Sequence, residues 1–122
     1  MELKIIEVNG QKIAEVISDE IVIKDSQDAL DIMAAADYEG ARAIIIYEKN
    51  IIPDFFELRT KIAGEILQKF SNYRVKLAII GEFEKFKSKS LQAFIRESNR
   101  GKQVFFTADR ESAAAKITGK KP

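Results

Sequence analysis

Two short apolar runs set the strongest limit on what this chain can fold into: Ala43-Ile44-Ile45-Ile46 and Leu77-Ala78-Ile79-Ile80. Neither alternates polar with apolar residues. A strand with one wet face shows that alternation, so a run without it must be covered on both faces. The β-branched isoleucines favour a strand, and the runs are too short for a buried helix. The chain therefore needs a sheet with helices packed on it. Its 122 residues leave room for one such domain.

The rest of the sequence supplies matching elements. Leu3 to Val8 and Lys12 to Ile17 read as two strands joined at Asn9-Gly10, the pair that best tolerates the positive φ angles of a type I′ turn. Ile21-Val22-Ile23 reads as a short extension or a loop packed on the core. Asp25, with Asp28 three residues on, marks a helix start. Ala29, Leu30, Ile32, Met33 and Ala36 give that helix an apolar face, and Gly40 stops it. Ala41 to Tyr47 is the next strand.

Pro53 is expected to open the second helix, where its missing N–H does no harm. Phe55, Leu58, Ile62, Ala63, Ile66, Leu67 and Phe70 recur at helical spacing, and Asn72 can end the helix in a left-handed conformation. Val75 to Ile80 is a strand closed by Gly81. Ser88 or Ser90 caps a third helix carrying Leu91, Phe94 and Ile95, which ends at Gly101. Gln103 to Phe106 is the last strand. Thr107 or Asp109 caps a final helix with Ala113, Ala114 and Ile117, and residues 118–122 are expected to fray.

The order is β-β-α-β-α-β-α-β-α. It predicts a single α/β domain over 1–122, with an N-terminal β-hairpin and a mostly parallel sheet joined by right-handed crossovers.

That order, over nearly the whole chain, resembles the STAS domain, the fold of anti-sigma-factor antagonists and of transporter tails. The resemblance implies a regulatory role. In that family an Asp-Ser-Ser/Thr-Gly stretch opens the helix after the third strand, and its hydroxyl is phosphorylated. Here the place reads Asn50-Ile51-Ile52-Pro53-Asp54-Phe55-Phe56, so the phosphorylated hydroxyl is not carried over. Four strings are closer in kind to a family of small bacterial proteins known only as a domain of unknown function. They are Pro53-Asp54-Phe55-Phe56, Ala63-Gly64-Glu65-Ile66-Leu67-Gln68-Lys69-Phe70, Ser88-Lys89-Ser90-Leu91 and Glu97-Ser98-Asn99. That resemblance implies a family and a fold and brings no activity.

The chain has no cysteine and no histidine. That excludes a thiol nucleophile, a disulfide framework, a zinc–thiolate site and an imidazole base or ligand. No phosphate-cradling glycine loop occurs. We expect no cofactor, and the residues point away from an enzyme. A net charge of +1 gives no overall field for nucleic acid or an anionic membrane. The N-terminal residues do not form a signal peptide and no apolar run is long enough to span a bilayer, so a cytoplasmic location is expected.

Ligands of parallel α/β sheets gather at the C-terminal ends of the strands. Glu48, Lys49, Asn50, Asp54 and Arg59 fall there as a polar rim, with Phe55 and Phe56 either as exposed partner anchors or packed inward. Gly64, inside a helix, costs about 1 kcal/mol against alanine. This suggests that another backbone or a ligand approaches closely, most plainly tight helix-on-sheet packing or a helix–helix dimer contact. Glu65 beside it is either a half-buried acid or a solvated partner of Lys61 or Lys69. Lys85, Lys87 and Lys89 with Ser88 and Ser90 precede a helix N-terminus, where an anion can bind. The plainer reading is a solvated loop with a serine cap. Asp25, Asp28 and Asp31 either hold a hard cation or serve as cap and solvated face. No other metal site is foreseen.

The leading expectation is a non-enzymatic regulatory or protein-interaction module. Its alternative is a small-ligand, phosphate or anion-binding domain at the strand C-terminal ends. A structural homo-oligomer that uses either the hairpin edge strand near Leu3 to Val8 or the Phe-bearing helix is a third reading.

Overall fold

The computed structural model describes residues 1–119. Five strands form one mixed sheet in the sequential order β1-β2-β3-β4-β5. They are β1 (Glu2–Val8), β2 (Gln11–Ile17), β3 (Ala43–Tyr47), β4 (Lys76–Ile80) and β5 (Val104–Thr107). The helices are α1 (Ser26–Tyr38), α2 (Ile62–Asn72), α3 (Lys89–Arg100) and α4 (Arg110–Thr118). The hairpin β1–β2 is antiparallel, with Val8 opposite Gln11 and Glu2 opposite Ile17. Asn9 and Gly10 take φ angles of 52° and 79°, the turn their sequence foretold. β2 to β3, β3 to β4 and β4 to β5 pair parallel.

Sequential order fixes where the helices go. Each crossover to the adjacent strand on the same side, if right-handed, puts its helix on the same face. The larger core accordingly joins α1, α2 and α3 (Ile32, Ile66, Phe70, Leu91, Ile95) to Ala14, Val16, Ile44, Ile46, Leu77, Ile79 and Phe106. α4 follows β5 and folds back over the other face. There Ala113 and Ile117 cover Ile13, Ile45, Ala78, Ile80 and Phe105. Ile44, Ile45 and Ile46 are fully buried, so the unbroken apolar run is explained by cover on both sides. Each such side chain contributes about 1.5–3 kcal/mol relative to exposure.

The ends of the elements follow local chemistry. The Asp25 carboxylate accepts from the Asp28 N–H at 2.9 Å, while the Asp28 carboxylate accepts from the Lys24 N–H at 2.8 Å. Ser88 caps α3 by accepting from Leu91 N–H at 3.1 Å. Asp109 caps α4, and the N–H of Ser112 holds its carboxyl below the usual value. Gly40, at φ 85°, closes α1 with bonds from Ala41 N to Ala36 O and from its own N to Asp37 O, both 2.9 Å.

Two expectations need correction. The helix expected from Pro53 starts only at Ile62. Residues Pro53–Phe56 and Leu58–Thr60 form short 3-10 turns instead, and Lys61 enters α2 in a left-handed conformation with φ 67°. The tight turns bury both adjacent rings, Phe55 and Phe56, which a single helical stripe beginning at Ile62 does not reach. The Thr60 hydroxyl ties the turns together, its one proton shared between the carbonyls of Asp54 and Glu57, each at 2.8 Å. At the other end of α2 the left-handed residue is Arg74, φ 57°, not Asn72. The bonds Val75 N to Phe70 O and Arg74 N to Ser71 O complete the same closing motif as in α1.

The stretch after β2 stays irregular, but Ile23 bridges Ile51 in a parallel pair and is buried. Of the tail expected to fray, residues 120–122 lie outside the described residues. Thr118 ends α4, and Gly119 caps it at φ 75°. No helix among the described residues is long and apolar enough to cross a membrane.

Candidate functional site

The C-terminal ends of β3 and β4 bring three of the sequence-selected features together. Glu48 follows β3, Gly81 follows β4, and Lys85 sits in the turn beyond. Lys85 Nζ meets Glu48 Oε2 at 2.7 Å. The glycine is required for this contact, because a Cβ at Gly81 would lie 2.7 Å from Glu48 Oε1 and 2.9 Å from its Cβ. The Lys85 ammonium also stands 5.4 Å from the centre of the Phe86 ring. Phe86 in turn stacks on Phe56 at 5.1 Å and 13°.

The other selected residues divide. Phe55 and Phe56 are 1% and 6% exposed, so neither is an exposed anchor. Their rings meet edge-on at 5.0 Å, and Phe83 joins Phe56 to Phe106. Asn50 is fully buried and structural. Its amide donates to the carbonyls of Ser18 and Glu20 at 2.9 and 2.8 Å, and its own carbonyl accepts from Val22 and Ile23. Its side-chain oxygen has no hydrogen-bond partner among the described residues. Asp54 is exposed, as is Arg59, which pairs with Glu57 at 3.1 Å. Lys87 is exposed, and Ser88 is spent on its cap.

Glu65 is exposed and lines a separate shallow groove with Lys61, Gly64, Gln68 and Phe94. A Cβ at Gly64 would meet nothing within 4 Å, so the close approach expected there is absent and the glycine borders open space. Asp25 and Asp28 serve the α1 cap, and Asp31 accepts from Gln27 at 3.0 Å. Among the described residues no group of three or more carboxylates is placed to hold a metal ion.

The strand ends do not form a deep crevice. Such crevices open where strand order reverses and neighbouring crossovers diverge to opposite faces. A strictly sequential order has no reversal. What forms is a concavity of about 200 Å³ lined by Ile21, Glu48, Lys49, Ile51, Pro53, Phe56 and Phe86. A second, of about 370 Å³, is lined by Ile17, Ser18, Asp19, Tyr47 and Lys49. Lys49 borders both and pairs with Asp19 at 3.2 Å.

The model of one protein family, described as Domain of unknown function (DUF4180), matches residues 8–117. The chain belongs to the DUF4180 family. Among curated proteins and among solved structures, nothing matches. The DUF4180 span runs from the hairpin turn into α4 and so contains the Glu48–Lys85 contact and the Asn50 clamp.

It also contains a constellation that the sequence reading missed. Glu15, on the α4 face of β2, is 3% exposed. Tyr47 donates its hydroxyl to Glu15 Oε2 at 2.6 Å. Arg110 Nη2, from the first turn of α4, lies 2.9 Å from Oε1, near enough for an ion pair though off the hydrogen-bond direction. Burial, the hydrogen bond to Glu15 and that residue's charge push the Tyr47 phenol up to about 12, against a smaller opposing pull from Arg110. A signal was present in the sequence: Ile13, Glu15 and Ile17 alternate onto one face, and a carboxylate between two isoleucines needs a partner when that face is covered. In this DUF4180 chain the partner is the helix that does the covering.

Proposed function

We propose that this protein is a non-enzymatic, cytoplasmic regulatory module on a STAS-like fold, docking a protein partner on the rim where β2 and β3 end. One observation carries the reading. Ile17 and Ile21, 40% and 43% exposed, flank Lys49 at the two adjoining concavities. Exposed branched side chains bordering shallow apolar hollows and held charges are the makings of a protein contact. The N-terminal hairpin and the element order support the STAS-like description.

The small-anion alternative has less to stand on. Lys85 already holds Glu48, and an incoming anion would have to displace that carboxylate. At about 200 Å³ the nearest hollow is also below the usual ligand range of roughly 300–1,000 Å³.

The test is affinity capture with three baits: wild type, Ile17→Asp/Ile21→Asp, and Tyr38→Asp as a control at the opposite end of the sheet. Binding is then repeated with the purified partner. Loss with the rim variant and retention with the control supports the reading. An empty wild-type capture, or one that the rim substitutions leave unchanged, rejects it.

A further inference from the structure

The two edges of the sheet are treated differently. At β5 the outward groups of Phe106 are both taken by one side chain. The Asn99 amide donates to the Phe106 carbonyl at 3.1 Å, and its oxygen accepts the Phe106 N–H at 2.7 Å. α3 packs along the same strand. β1 has no such cover. Among the described residues no hydrogen bond reaches its outer edge, and its seven residues contain neither proline nor bulge. It also lies beyond β3, β4 and β5, where α4 packs. Leu3, Ile5, Ile6 and Val8 are left half-buried. A long, straight, partly apolar edge is a template for another strand, and natural proteins blunt such edges unless they use them.

The sequence of β1 selects the partner. Residues on one face of β1 are read from their opposites in β2. Glu2 and Lys4 stand across from Ile17 and Glu15 on the α4 face, and Leu3 and Ile5 across from Val16 and Ala14 on the other. Antiparallel pairing with a second copy keeps opposite residues on one face. With Leu3 on the two-fold axis, Glu2 faces Lys4 of the second copy and Lys4 faces its Glu2. On the other face Met1, Leu3 and Ile5 of both copies meet. Neighbouring registers lack this match. Lys4 on the axis sets two ammonium groups face to face, and Ile5 on the axis sets Leu3 against Glu7 and Lys4 against Ile6. Opposite charges across strands stabilise, and like charges directly opposed destabilise.

We propose that two copies of this chain pair antiparallel through β1 about Leu3, held by two reciprocal Glu2–Lys4 ion pairs, to make one continuous ten-stranded sheet. The proposal is independent of the rim contact.

Sedimentation of the full chain tests it. Wild type should show a monomer–dimer equilibrium. Glu2→Lys or Lys4→Glu alone should weaken the dimer about tenfold, because each turns both attractions into repulsions. Glu2→Lys/Lys4→Glu together should restore it to within about threefold of wild type. Both side chains are exposed in the monomer, so the fold survives each change. Because the chain has no cysteine, Leu3→Cys supplies a second measurement: on the axis it should oxidise to a disulfide dimer while Glu7→Cys does not. A wild type that stays monomeric up to about 1 mM, a double variant that fails to recover, or equal crosslinking at both positions overturns the proposal.

Discussion

The Tyr47 hydroxyl lies 2.6 Å from Glu15 Oε2 and donates to a carboxylate that is buried under the first turn of α4. The phenol is thereby raised from 10.0 to about 12, chiefly by burial. The folded value lies above the unfolded one, so the folded state holds this proton more tightly. The stabilisation is complete below about pH 10 and is lost as pH rises from there through 12. In a Tyr38→Phe/Tyr73→Phe background, phenolate absorbance should show a midpoint near 12 for the folded chain. Glu15→Gln should bring it down. A folded midpoint at the ordinary phenol value of about 10 would contradict the contact.

Arg110 is the other partner of Glu15, and removing it leaves the carboxylate buried with one hydroxyl. Arg110→Met should therefore cost about 2 kcal/mol in denaturant unfolding. The exposed pair Arg59–Glu57 gives the comparison, since Arg59→Met should change stability by about 0.5 kcal/mol or less. Equal effects would mean that the burial of Glu15 is not what makes its ion pair matter.

Gly81 lets Glu48 reach Lys85. Gly81→Ala should destabilise by about 1–3 kcal/mol through overpacking. Glu48→Gly should reduce that penalty, because it removes both Glu48 atoms the new methyl group meets and leaves Phe83 Cζ at 3.0 Å. Additive costs in the double variant would show that the close approach is not the cause.

Lys61 occupies the left-handed region without being glycine, and its own side chain does not cap the helix. Lys61→Gly should raise the denaturation midpoint, with a gain of up to about 1 kcal/mol. A loss would show that the conformation is not strained.

Phe56 joins Phe55, Phe83 and Phe86 within one aromatic cluster. Phe56→Ala should cost about 3–5 kcal/mol. Calorimetry checks this, and a change under 1 kcal/mol would place the ring outside the core.

Most of the architecture could be read from the chain because its signals are local. The Asn9-Gly10 turn, the unbroken isoleucine run of β3, and the Asp25, Ser88 and Asp109 caps each depend on a few neighbouring residues. The misplaced start of α2 had a different origin. Helical spacing from Phe55 to Phe70 was real, but Thr60 and Lys61 break the backbone, and spacing alone carries no record of φ. The family was legible in its strings. The site was legible in part: Glu48 and Lys85 fell at the ends of adjacent strands and do touch. Asn50, Phe55 and Phe56 lay in the same stretch of sequence but turn inward, because a loop crossing a strand end must bury its own anchors. Glu15, Tyr47 and Arg110 are spread from position 15 to position 110 and meet only through the register of β2 against β3 and the return of α4.

That return has a consequence for how the chain is made. α4 follows all five strands, and among the described residues it is the helix that roofs Ile13, Ile45, Ile80 and Phe105. During synthesis from the N-terminus, the sheet can assemble with its three crossover helices while this face is still open to water. Arg110, in the first turn of α4, contacts Glu15, and Ala113 and Ile117 follow it along the helix over the isoleucines. Until α4 docks, Ile13, Ile45, Ile80 and Phe105 lack the cover that Ala113 and Ile117 give them in the folded chain.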